Sequence, residues 1–122
     1  VRDKLMTHGT QNADAIFNVT LNGENSTCDL ISRAVAKDQS TQTFKAQVIG
    51  NAKCAIHTEC DAIIMDDARI SASPESLAND LDAALIHEAA IGRIAGEQLM
   101  KLMTLGLTEE EAEQEIIAGF LK

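Results

Sequence analysis

The first 73 residues alternate. Ala15, Phe17, Val19 and Leu21 share one parity, Asn18 and Thr20 the other, and Asn22-Gly23 interrupts the run. Period-two patterning between turn residues predicts half-buried strands. Residues 28–35 form the next apolar stretch, closed by Lys37-Asp38-Gln39-Ser40; Phe44, Ala46 and Val48 then fall on one parity before Gly50-Asn51. Shorter strands are predicted at 54–58, 61–65 and 69–73, bounded by Glu59-Cys60, Asp66-Asp67 and Ser73-Pro74. Periodicity does not say how these strands pair. Asn22-Gly23 is a favoured hairpin dipeptide and suits an antiparallel sandwich. Closely spaced turns between short strands of small aliphatics suit a β-helix equally well.

Beyond Pro74 the period changes. Pro74-Glu75-Ser76-Leu77 predicts a short helical turn, since proline is tolerated at the first helical position. From Ile91, the positions Ile91, Ile94, Leu99, Leu102 and Met103 predict a helix of about three turns that stops at Gly106. Thr108-Glu109-Glu110-Glu111 reads as a capping box opening a second helix, with Ala112, Ile116, Ile117 and Phe120 on its buried side. The two helices, joined at Gly106-Leu107, form an αα-hairpin. The chain thus divides near Pro74 into an all-β part over 1–73 and a part over 74–122 that ends in a small helical tail.

Composition sharpens this picture. A chain of 122 residues fits one domain, and with no Trp or Tyr and three Phe its core must be built from small and branched aliphatics. Ten Lys and Arg stand against 19 Asp and Glu, a formal charge of −9, and no run of cations exists to displace counterions from nucleic acid. No apolar run approaches the roughly 18 residues of a spanning helix, so no membrane span is expected. Three cysteines, an odd number, argue for a reducing compartment, and the cytoplasm is the expected location. Asn18-Val19-Thr20 and Asn25-Ser26-Thr27 match the glycosylation acceptor pattern, but nothing else points to secretion. Val1 opens neither a signal nor a transit segment, and the chain is expected to be a fragment or processed product.

Two clusters carry candidate chemistry. Cys54, His57 and Cys60 form C-x2-H-x2-C, whose thiolates and imidazole are ligands for zinc or iron. On one strand, however, residues 54 and 60 share a face and 57 takes the other, so the cysteines are read as buried structural residues and the trio as secondary metal candidates. His87-Glu88 interrupts the nearly apolar segment 83–91; both are metal-ligand types, yet strand neighbours face opposite ways. Phosphate-loop, nucleophile-elbow and H-E-x-x-H signatures are missing, and the three glutamates of the second helix start have only a capping role.

The order His57-Thr58-Glu59-Cys60-Asp61-Ala62-Ile63-Ile64, Ser71-Ala72-Ser73-Pro74-Glu75, Leu85-Ile86-His87-Glu88-Ala89-Ala90-Ile91-Gly92-Arg93-Ile94 and Glu97-Gln98-Leu99, followed by Gly106-Leu107-Thr108, closely resembles the C-terminal part of the SufB/SufD family. These are scaffolds of the SUF system of iron-sulfur cluster assembly. The resemblance implies a mainly β fold, a right-handed parallel β-helix followed by a small C-terminal helical subdomain. It implies a non-catalytic scaffold that pairs with a second SufB/SufD chain through its β-helix end. It also implies docking of the SUF ABC-type ATPase by residues 91–120, with Glu97, Leu99 and Met103 as contacts. The iron-sulfur cluster is transient and assembled in the full complex, with none expected in the isolated fragment. His87 matches the functional histidine of SufD-like members and Glu88 the glutamate of the SufB-like His-Glu pair, which makes both cluster or metal ligands. A cysteine that SufB members carry is replaced here by Arg69. The other readings are a metal-dependent enzyme using His57, His87 and the cysteines, and a plain ATPase-interaction module without metal chemistry.

Overall fold

A computed structural model describes all residues, Val1–Lys122. Seven strands come first: β1 (Arg2–Thr7), β2 (Asn12–Leu21), β3 (Ser26–Ala36), β4 (Thr41–Gly50), β5 (Cys54–Ile64), β6 (Arg69–Ala78) and β7 (Ala84–Gly92). Two helices follow, α1 (Gly96–Thr104) and α2 (Glu109–Phe120). The odd strands form one sheet in the order β1-β3-β5-β7 and the even strands another, β2-β4-β6. Every pairing is parallel. The chain therefore coils, laying one strand in each sheet per turn, and forms the parallel β-helix implied by the family resemblance. The sandwich alternative falls: Asn22-Gly23 does not fold β3 back on β2 but carries the chain across to the other sheet.

The core lies between the sheets and is built from the alternate side chains on one face of each strand. Leu30, Phe44, Ala46 and Cys60 form its centre, with Ala15, Phe17 and Ala72 packed against them. Stacked columns alternate in size: Ala15, Phe44 and Ala72 align in one, Phe17, Ala46 and Pro74 in the next. The two rings meet on the diagonal, their centroids 5.8 Å apart. Such staggering fills a thin interlayer without Trp or Tyr.

Corner residues repeat at the coil period. Asn51 Nδ2 donates to Asn22 Oδ1 and Asn79 Nδ2 to Asn51 Oδ1, each over 2.7 Å and across 29 and 28 residues. At the opposite corner Gly9, Asp38 and Asp66 adopt positive φ (59°, 60° and 56°), a conformation Asp tolerates by bonding locally. There Asp38 Oδ2 accepts from the Gly9 amide at 2.8 Å and Asp66 Oδ2 from the Asp38 amide at 3.1 Å.

Three local expectations are corrected. Pro74-Glu75-Ser76-Leu77 is strand, not a helical turn, because each residue keeps a partner on β4; β6 is the last strand of its sheet, where proline is tolerated. Segments 54–58 and 61–65 merge into the single strand Cys54–Ile64, since Glu59 and Cys60 stay in register with Ile31 and Ser32. Ile91 and Gly92 pair with Ala62 and Ile63 and end β7, so α1 begins only at Gly96. Its stop is as expected: Gly106, at φ 98°, donates to the Met103 carbonyl and Leu107 to that of Leu102. The capping box of α2 is formed in both directions, Glu111 N to Thr108 Oγ1 and Thr108 N to Glu111 Oε2. Ala112 and Ile117 are buried, and Ile117 packs with Val35 and Met65, with Ile63, Ile94 and Phe120 around them. α2 thereby covers one end of the odd sheet's outer surface.

Candidate functional site

Strand alternation sorts β3, β5 and β7 into two faces. Inward lie Leu30, Thr58 and His87 in one row, Ser32, Cys60 and Ala89 in the next. Outward lie Asp29, His57 and Ile86, then Ile31, Glu59 and Glu88, then Arg33, Asp61 and Ala90. Adjacent His87 and Glu88 thus belong to different environments. His87 is half-buried, and its Nδ1 has no hydrogen-bond partner; neither has the hydroxyl of its neighbour Thr58, which is 2% exposed.

The outward face carries the ionic cluster. His57 Nε2 lies 3.1 Å from Glu88 Oε2, and its Nδ1 lies 3.4 Å from Asp29 Oδ1. The Glu88 hydrogen bond, opposed by partial desolvation and aided by the charge of Asp29, raises the His57 pKa above its ordinary 6.5. Glu59, opposite Glu88 in the register, completes a trio in which one donor atom each from His57, Glu59 and Glu88 lies within 4.8 Å of the others. One row further on, Asp61 is pushed up to about 6 by desolvation first and then by its hydrogen bond and repulsion with Glu59, with Arg33 opposing. These donors fit a metal ion of borderline character, one imidazole and two carboxylates.

The C-x2-H-x2-C residues do not converge. Cys54 and Cys60 are buried inward and His57 faces out, as strand geometry requires. Burial, with the nearby Asp61 charge, also raises the Cys60 thiol above its ordinary range, which disfavours the thiolate a metal would need. Neither Asp29 nor Glu59 stands out in the sequence. Their signal is the coil period: Asp29 aligns with His57, and Glu59 with Glu88, once the chain is folded back on itself every 28 or 29 residues.

Of the predicted docking residues, Leu99 is half-buried beside Ile94, while Glu97 and Met103 are exposed. Met100, Met103 and Leu105 leave a helical apolar patch in solvent at 67%, 43% and 79% exposure. β7 and β6 are edge strands, and Ile86, Ile91 and Leu77 stand exposed on them. No helix is long and apolar enough to cross a membrane.

Comparison with known proteins gives the same answer as the coil. Residues 2–120 match the family model described as SUF system FeS cluster assembly, SufBD core domain. An iron-sulfur cluster assembly SufBD family protein of Methanothermobacter thermautotrophicus is 40% identical over 105 residues, which are 84% of this chain and 26% of that protein. One from Methanocaldococcus jannaschii is 38% identical over 104 residues, 84% of this chain and 33% of the relative. The iron-sulfur cluster assembly protein SufB of Bacillus subtilis is 31% identical over 103 residues, covering 80% and 22%. The chain therefore spans between about a fifth and a third of the curated relatives it matches. With a parallel β-helix, a trailing helical hairpin and a match over nearly its whole length, this chain belongs to the SufBD core-domain family of SUF iron-sulfur cluster assembly.

Proposed function

We propose that the protein of which this chain forms a part is a non-catalytic scaffold of the SUF complex. It pairs with a second SufB/SufD chain along β7, presents His87 and Glu88 as ligands to a nascent, transient iron-sulfur cluster, and docks the SUF ABC-type ATPase through α1 and α2. ATP hydrolysis belongs to that partner, and the complex works in the cytoplasm. The observation that carries this reading is the edge position of β7, whose outer backbone groups have no strand partner and whose middle bears His87 and Glu88. Since the two side chains point to opposite faces, neither completes a ligand set with the other. A cluster held at this edge therefore draws further ligands from the paired chain. Exposed Met100, Met103 and Leu105 support the docking role of α1, because flexible, polarizable Met suits an adaptable contact. Glu97, Leu99 and Met103 serve in that contact, Leu99 from its half-buried place beside Ile94.

The test is cluster reconstitution in the full-length complex carrying His87→Ala with Glu88→Ala. Iron and sulfide incorporation should fail while the ATPase is still captured. Unchanged cluster yield would refute the ligand roles and leave an ATPase-interaction module. Turnover of a substrate by the isolated chain with bound metal would favour a metal-dependent enzyme instead.

A further inference from the structure

We infer that His57, Glu59 and Glu88 form a binding site for one divalent first-row transition-metal ion on the outer face of β5 and β7, apart from the inward-facing His87. The choice of ferrous iron as the ion rests on the assembly role proposed above; the donor set stands without it.

The geometry is built by the coil. Glu59 and Glu88 oppose each other across the β5–β7 pairing, and His57 stands two residues before Glu59 on the same face. One donor atom from each lies within 4.8 Å of the other two. The ring is also oriented from behind. Asp29 Oδ1 faces Nδ1 at 3.4 Å while Nε2 points at Glu88 Oε2, 3.1 Å away. A carboxylate beside Nδ1 is the usual support of a metal-bound histidine, because it favours the tautomer whose Nε2 lone pair is free to coordinate. A divalent ion seated between Nε2 and the two carboxylates would neutralise both glutamates and remove the crowding of like charges.

Donor chemistry selects the class of ion. An imidazole with two carboxylates suits Fe, Zn, Co or Mn, whereas Mg and Ca prefer oxygen alone. No thiolate contributes, since Cys54 and Cys60 face the core. Three ligands from one side of a sheet, with His57 and Glu88 side chains 32% and 64% exposed, leave the outer coordination positions open. An open position is the mark of a site that exchanges or reacts rather than one that staples a fold. This site therefore accepts and releases a single ferrous ion close to the edge strand.

The test uses cobalt(II) alone as the probe, titrated into the metal-stripped 122-residue chain and followed by visible absorption, with ferrous iron under anaerobic conditions as the competitor. One equivalent should bind, and ferrous iron should displace it. His57→Ala or Glu59→Gln should each weaken binding by roughly tenfold or more, and Asp29→Asn by about 10- to 100-fold through loss of ring orientation. His87→Ala should leave cobalt affinity unchanged, even if it abolishes cluster formation in the full complex. That split separates failure of this site from failure of the cluster-ligand role. Zinc should also shift the His57 Nε2 resonance in a nitrogen-15 spectrum, a readout available in the unsubstituted chain if a variant folds poorly. Equal cobalt affinity in the His57→Ala/Glu59→Gln double variant, loss of binding in His87→Ala alone, or an unshifted His57 resonance would each overturn the inference.

Discussion

At the scale of single residues, the outer face of β5 is a place where charge is held against its own repulsion. Glu88 supports a protonated His57, so removing that carboxylate should release the ring. In metal-free Glu88→Gln, an NMR titration should show the His57 pKa moving down toward its ordinary 6.5. An unmoved value would mean that the 3.1 Å contact does not exist in solution. The signs for stability follow. Asp61, raised from 3.8 to about 6, binds its proton more tightly folded than unfolded, so stability is lost as pH rises through that window. His57, also raised, contributes fully below 6.5 and loses its contribution as pH rises through its folded value. Both shifts therefore favour the fold under mild acid. The urea midpoint should fall as pH rises from 3.8 to about 6 and again above 6.5, and the first fall should shrink in Glu59→Gln, which relieves Asp61. His57 and His87 are legible in the sequence because histidine is scarce here, and Glu88 because it stands beside His87 in a nearly apolar segment. Asp29 and Glu59 are hidden among 19 acidic residues, and only the coil register sets these two apart.

At the scale of elements, the corners and the helical hairpin set the coil's tolerance. Gly50 ends β4 where the chain turns hard against the next coil: a Cβ there would lie 2.9 Å from Cys54 Sγ and 3.0 Å from the Ala83 Cβ. Gly50→Ala should cost about 1–3 kcal/mol, as overpacking of a filled site does, measured by urea unfolding. Gly92→Ala, which meets nothing within 4 Å, is the control. Ile117 is the residue by which α2 grips the coil, 6% exposed against Val35 and Met65. Ile117→Ala should cost about 2–5 kcal/mol, and hydrogen exchange should quicken in α1 and α2 before the strands. Where a side-chain pattern and a local cap agreed, as in α2, the element was legible from sequence. It was not legible where pairing overrode local preference. Pro74 suggests a helix start and Ile91 a helical face, yet both lie in strands because β4 and β5 offer partners already in register.

At the scale of the whole molecule, alternation gave strands but not their pairing. A two-residue period is the same for a sandwich and a coil, and the 28- or 29-residue repeat is carried by thinly spread corner residues such as Asn22, Asn51 and Asn79. The finished coil presents β7 as an open edge with exposed Ile86 and Ile91, the arrangement that invites another strand. A formal charge of −9 acts against pairing with an identical copy. Exposed charges are screened beyond about 8–10 Å at physiological ionic strength, so salt should strengthen self-association that repulsion holds back. Sedimentation of the chain should therefore show a dimer fraction that rises with both concentration and salt. Lysines at Ile86 and Ile91 should abolish it without changing the circular dichroism, because edge lysines resist strand addition. If association survives those substitutions but is lost when Met100 and Met103 are made polar, α1 rather than β7 is the face that attracts a second copy, and the edge-pairing role of β7 fails.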